Sequence, residues 1–355
     1  MRGRGDRLAG LVAEAELDQM LVTELVNVRY LTGFGGTNGA CLCGADTRLF
    51  FTDFRYTERA EDEVEGWEVV TLTDEWLGGI AARFAGRVGF EDDHVSVRTL
   101  KRLEEKLPDG VGMEPAGGMV ERLRRVKDEG ELAAVAAAAE LADEVWRWSL
   151  DQGLAGRTEL QVAASAEARI RELGGEPSFP AIVAAGPNGA LPHAEPGERE
   201  IGTGELVVFD MGAKLDGYCS DGTRTFATGD PGDEARGVYE VVLEAQAAAL
   251  DAVAAGAEGA AVDAVARELI EKAGHGEHFG HGLGHGVGLE VHEAPRLSQR
   301  SDDVLEEGEV VTVEPGIYLP GRLGVRIEDL VVVTEDGHRN LSGLPKALET
   351  IAQPG

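Results

Sequence analysis

Lysine is scarce in this chain. Six lysines in 355 residues contribute to a Lys+Arg total of 33, against 65 Asp+Glu, and the formal charge is −32. So anionic a chain lacks the clustered basic surface that nucleic acid and acidic lipid headgroups reward, and neither is expected as a partner. Cysteine is scarcer still: Cys41, Cys43 and Cys219 are too few for a disulfide framework, and neighbours at i and i+2 cannot easily bridge each other. No uncharged apolar run approaches the roughly 20 residues of a membrane span. The opening, MRGRGDRLAGLVAEAELDQM, is broken by Asp6, Arg7, Glu14, Glu16 and Asp18, so it forms no secretory h-region. These absences predict a reduced, cytoplasmic protein.

What is present suits two domains: the length exceeds one average domain, and hydrophobic residues at 43% are ample for packed cores. The first third alternates short runs rich in β-branched or aromatic residues (19–23, 40–44, 48–52, 67–72) with amphipathic stretches such as 6–16 and 98–106, which reads as a small α/β domain. GADT is expected to join the second and third runs as a hairpin. PAGGM (115–119) interrupts this pattern, and a charged helical run begins near Val120. The expected organisation is an N-terminal domain over 1–118, a linker over 119–127 and a second domain over 128–355. In that second domain, Ala-rich helices at 129–151, 158–172, 233–255 and 260–273 alternate with strand pairs, which predicts an α+β fold. Thr158 with Gln161 fits a capping box.

Two of those strand pairs carry acids in register. In VVFDMGAKLDGYCSDGTRTF (207–226), Asp216-Gly217 signals a type I′ turn, so Asp210 faces Thr223. Asp221 then becomes the same-face diagonal neighbour of Asp210, roughly 7–8 Å away at the backbone. In VVTVEPGIYLPGRLGVRIEDLVVV (310–333), Glu314 and Glu328 stand symmetrically about Gly321, so a hairpin there opposes them, although Pro315-Gly316 must distort the strand. A single such acid is more often a surface or turn residue. Four, paired on apolar hairpins, destabilise a sheet unless a cation sits between them, and this predicts a metal site.

FGHGLGHGVGLEVHEAP (279–295) supplies imidazoles. Five of the eight histidines lie between His275 and His292, and glycine recurs at every second position from Gly280 to Gly288. His281 and His285 have the i, i+4 spacing of a zincin. However, no Glu follows the first histidine, and each glycine would cost a helix about 1 kcal/mol. Alternating glycine suits backbone that passes close to bound groups or to another strand. Four carboxylates with one or two imidazoles form an oxygen-rich set that suits Mn²⁺ and similar ions. Two such ions, about 3.5–4 Å apart, could generate hydroxide and clamp a hydrolytic transition state.

DMGAKLDGYCSDGTRTF, HGLGHGVGLEVHE, EPGIY and GVRIED, in that order, resemble the pita-bread metallopeptidases of family M24, and within them the Xaa-Pro peptidases (prolidase and aminopeptidase P). The resemblance runs from about residue 125 to the end, and more loosely over the first third, which is similar to the creatinase-type N-terminal domain. It implies a pita-bread fold and two divalent ions, Mn²⁺ with Co²⁺ or Zn²⁺ as alternatives. The implied ligands are Asp210, Asp221, His285, Glu314 and Glu328: Asp221 and Glu328 bridging, Asp210 on one ion, His285 and Glu314 on the other. Glu314 is also the implied general base. His193 and His292 match histidines that bind substrate and stabilise the tetrahedral intermediate, His281 lines the same pocket, and Tyr318 and Arg326 match supporting or substrate positions. Arg296 resembles a residue near the substrate carboxylate in prolidases, which favours an Xaa-Pro dipeptidase acting on proline-containing peptides. The alternatives are an Xaa-Pro aminopeptidase acting on longer peptides, and a non-catalytic peptide-binding or creatinase-like member. The resemblance further implies a homodimer.

Overall fold

The computed structural model describes residues 3–73 and 75–351. Two compact units divide the chain, Met1–Arg124 and Arg125–Gly355.

In the first unit the β-rich runs form a six-stranded mixed sheet, ordered Glu68–Leu72, Arg48–Asp53, Ala40–Gly44, Gln19–Val22, Arg87–Phe90 and Gly112–Pro115. Every residue of the central strands Gln19–Val22 and Ala40–Gly44 is buried, as expected of unbroken apolar runs covered on both faces. The GADT hairpin forms: Gly44 N–H donates to Thr47 O at 2.9 Å, and Ala40 pairs with Phe51. Ile80, Ala81 and Leu103, from two helices, pack on Leu21, Leu42, Phe51 and Val88. Within the stretch expected as a linker over 119–127, Met119–Arg125 form a helix. Val120 and Arg124 are buried, Tyr30 donates to Leu123 O at 2.9 Å, and Arg124 donates to Asn27 Oδ1 at 2.7 Å. These bonds fasten the helix to the first unit, so the division falls at Arg124/Arg125.

The second unit holds the helices Glu129–Asp151, Glu159–Glu172, Asp233–Asp251 and Gly259–Lys272. Capping boxes start the first two, Asp128 with Glu131 and the expected Thr158 with Gln161. Their alanine faces permit close approach to the sheets. Ala142, Val145, Ala163 and Ala166 pack on Val183, Val207 and Phe209, whereas Val242, Ala245, Val262 and Ala266 belong to a second core with Val311, Val313, Val331 and Val333. The strands Thr223–Ala227, Leu206–Asp210 and Ile182–Ala185 form one sheet. A five-stranded sheet runs Glu293–Leu297, Gly284–Gly286, Val310–Val313, Asp329–Thr334, Gly337–Asn340. A separate hairpin joins Gly316–Leu319 to Leu323–Arg326.

Candidate metal centre

Both carboxylate hairpins keep the register expected of them. Asp216 and Gly217 have φ of 47° and 85°, both left-handed as a type I′ turn requires, and Leu215 pairs with Tyr218 while Asp210 pairs with Thr223. Across Pro315 the ladder is interrupted but not shifted: Val313 pairs with Asp329 and Gly316 with Arg326, which leaves Glu314 opposite Glu328. His285 lies on the strand Gly284–Gly286, not on a helix. Glycine on either side is a steric necessity, because a Cβ at Gly284 would stand 2.0 Å from Thr312 O and one at Gly286 2.1 Å from Ala294 O.

These elements bring the five expected ligands to one cavity of about 440 Å³, which His193, His281, His292, Arg296 and Arg326 also line. Ligand atoms of Asp221, His285 and Glu328 all lie within 4.8 Å of one another. His285 Nε2 is 3.5 Å from Asp221 Oδ2 and 3.4 Å from Glu314 Oε1. Its Nδ1 is 3.0 Å from Gly286 O, a carbonyl that can only accept, so Nδ1 donates there and Nε2 is the nitrogen turned toward the carboxylates.

Arg326 braces the site. It donates to Asp210 Oδ2 at 2.5 Å, Thr223 Oγ1 at 3.0 Å and Tyr318 Oη at 2.9 Å. Tyr318 in turn donates to His281 Nε2 at 2.9 Å, and His281 Nδ1 donates to Gly282 O at 2.8 Å. Burial lowers the pKa of His281, which keeps that ring neutral and able to accept from Tyr318. Thr223 donates to Glu328 Oε2 at 2.7 Å.

The electrostatics call for a cation. Burial, followed by the charges of neighbouring carboxylates, pushes Asp221 and Glu328 well above the usual carboxylate range. Burial also raises Asp210, against the pull of Arg326. For Glu314 burial acts in the same sense but loses to the hydrogen bond and charge of His285, which hold it low. Asp210 Oδ1 is buried without a hydrogen-bond partner. An orphaned carboxylate oxygen, an imidazole nitrogen turned toward acids and four carboxylates around one guanidinium all fit a divalent cation bound by hard ligands.

Some contributors carried no sequence signal. Phe179 and Ile182 form an apolar wall of the cavity, and Pro192 accepts from Arg326 at 3.2 Å. Thr223 could have been found, since its register opposite Asp210 places it beside the acids.

Fold and centre together define a class: a two-unit α+β protein whose second unit buries an oxygen-rich site for divalent cations. Residues 133–335 match metallopeptidase family M24, and residues 4–126 match the creatinase/prolidase N-terminal domain. An Xaa-Pro dipeptidase of Pyrococcus furiosus is 35% identical, with 98% of this chain and 100% of that protein covered. Among solved structures, an Xaa-Pro dipeptidase from Bacillus anthracis superposes with a TM-score of 0.95 at 39% identity, covering 98% of this chain and 99% of that one. An X-Pro aminopeptidase from Thermotoga maritima superposes with a TM-score of 0.91 at 36% identity, covering 98% and 100%. The chain belongs to metallopeptidase family M24 and has the family's pita-bread fold behind a creatinase-type N-terminal domain.

Proposed function

We propose that this protein is an exopeptidase that uses two divalent ions, Mn²⁺ foremost, to hydrolyse the peptide bond before proline, with Xaa-Pro dipeptides as its substrates. The convergence of Asp210, Asp221, His285, Glu314 and Glu328 on one cavity is the observation that carries this reading. The ions, when bound, polarise the scissile carbonyl and supply a nucleophilic water at neutral pH. Asp221 and Glu328 are suited to bridge them, Asp210 to hold one, and His285 with Glu314 the other. Glu314, kept ionised beside His285, takes a proton from the attacking water and delivers it to the departing proline nitrogen as the C–N bond breaks.

Burial lowers the pKa of His292, so its neutral ring acts through an N–H bond to the developing oxyanion, with His193 on the same cavity wall. Arg326 and Tyr318 hold Asp210 and His281 in place. The Arg296 guanidinium lines the cavity with no ion pair or side-chain hydrogen bond among the described residues, which suits it to a substrate carboxylate. An Xaa-Pro bond rewards such a site, since its nitrogen carries no proton for a protease to grip.

The three cysteines are free and buried, which supports a reducing, cytoplasmic setting. No helix among the described residues is long and apolar enough to cross a membrane. Family resemblance supports a homodimer. The deciding assay compares an Xaa-Pro dipeptide with an Xaa-Pro-Yaa tripeptide in Mn²⁺, Co²⁺ and Zn²⁺. Turnover of the dipeptide is expected. Turnover of the tripeptide alone would transfer the protein to the aminopeptidase reading that the Thermotoga maritima structure favours, and turnover of neither would refute the enzyme.

A further inference from the structure

Behind the metal centre lies a second buried charge cluster that the chemistry does not use. Arg224 follows Thr223 on the strand Thr223–Ala227, and both Arg224 and its partner Asp329 are buried. Each of its five N–H donors has an acceptor. Nε reaches Pro345 O at 3.1 Å, Nη1 reaches Thr223 O at 2.9 Å and also Glu328 O, and Nη2 reaches Asp329 Oδ1 at 2.7 Å and Leu344 O at 2.9 Å. Asp329 Oδ2 accepts in turn from Lys346 Nζ and Asn340 Nδ2, both at 2.8 Å.

Two of those acceptors belong to the segment 343–351, which is fastened at several points. Gly343 N–H donates to Asp143 at 2.7 Å, Tyr239 donates to Lys346 O at 2.9 Å, and Ala227 exchanges backbone bonds with Glu349 and Ile351. At the other end of the cluster, Glu328 is gripped three ways. Its N–H donates to Thr223 O at 3.0 Å, its carbonyl accepts from Arg224, and its Oε2 accepts from Thr223 Oγ1.

We infer that Arg224 is a positioning residue that, together with Asp329 and the C-terminal strap 343–351, sets the carboxylate of Glu328 for metal binding. The inference rests on the metal-centre reading above. An ordinary core ion pair would need neither the main-chain carbonyl of a ligand residue nor that of its supporting threonine. Arg224 joins the two sheets at the point where Glu328 must hold its place among repelling carboxylates. The strap supplies the remaining acceptors, which makes residues 343–351 part of the site's support.

The test is calorimetric titration of Mn²⁺ into the metal-stripped full chain, with the visible spectrum of the Co²⁺ form as a second readout. Wild type is expected to bind two ions; if it binds none, the metal-centre reading itself fails. Arg224→Lys keeps the charge but cannot serve five acceptors from one ammonium group. It is expected to weaken one Mn²⁺ step about 10–100-fold and to alter the Co²⁺ bands, since partners behind a ligand have effects of that order. A folded Arg224→Lys protein that binds both ions within twofold of wild type, with unchanged Co²⁺ bands, overturns the inference even if its melting temperature falls. Should that variant not fold, Lys346→Met loosens only the Asp329 end of the cluster. A Mn²⁺ step weakened more than twofold then supports the inference, and unchanged affinity overturns it.

Discussion

Replacing Asp221 with asparagine is expected to stabilise the metal-free protein and to abolish its stabilisation by Mn²⁺. Ligand atoms of Asp221 and Glu328 lie within 4.8 Å of each other, so two full charges there repel by about 3.5 kcal/mol at an effective dielectric of 20. Burial and the neighbouring carboxylates push both groups well above the usual range, so proton uptake relieves part of that cost and about 2 kcal/mol remains as the gain. For a unit of this length that is a rise in melting temperature of about 4–8 °C in EDTA. In Mn²⁺ at 100 times its Kd, wild type gains about 2.7 kcal/mol per occupied site. The variant, lacking one carboxylate of the Asp221–His285–Glu328 cluster, is expected to gain almost none of it. Melting curves by fluorescence, recorded in EDTA and in excess Mn²⁺, measure both effects. An Asp221→Asn protein that melts at or below wild type in EDTA, or shows the same increment in Mn²⁺, would refute the electrostatic account of the site.

Gly284→Ala drives a Cβ to within 2.0 Å of Thr312 O, a backbone atom of the neighbouring strand, so we expect a loss of about 3 kcal/mol or more in urea denaturation and weaker Mn²⁺ binding through the displaced His285. Full stability with unchanged affinity would contradict the close strand approach. Asp329→Asn tests the buried pair by its pH dependence: burial opposes ionisation, but Arg224 and Lys346 hold the carboxyl below its ordinary value. A depressed folded-state pKa means that the unfolded chain takes up the proton first. The advantage of wild type over the variant, about 3–5 kcal/mol at neutral pH, is therefore complete above about pH 4 and shrinks as pH falls further. A difference that stays constant or grows between pH 7 and pH 3 would disprove it.

The strand registers that were legible in the sequence share one property: each is counted from a local turn. Asp216-Gly217 dictates how its two strands meet, and simple counting from that turn places Asp210 opposite Thr223. Counting from Gly321 places Glu314 opposite Glu328, and Pro315 breaks the ladder without adding a residue, so the register survives it. Alternating glycine around His285 foretold a close backbone neighbour, although not that Thr312 would be that neighbour. What the run after PAGGM did not disclose was where its helix docks. Arg124 is buried against Asn27, about a hundred positions earlier, and no local pattern announces that bond.

The same limit hid the support behind the centre. Arg224 meets Leu344 and Pro345 across the fold, and in the motif DGTRTF it reads only as a polar residue alternating on a strand. Strand alternation places Arg224 and Thr223 on opposite faces, so the face that turns Thr223 toward the acids necessarily turns Arg224 away from them. Turning away is what allows the guanidinium to reach around the sheet edge to the carbonyl of Glu328 and to the strap. A hairpin that supplies a ligand on one face thus has its other face free to anchor the structure holding the ligand still. Pairing rules reveal the first face, and only the tertiary structure reveals the second.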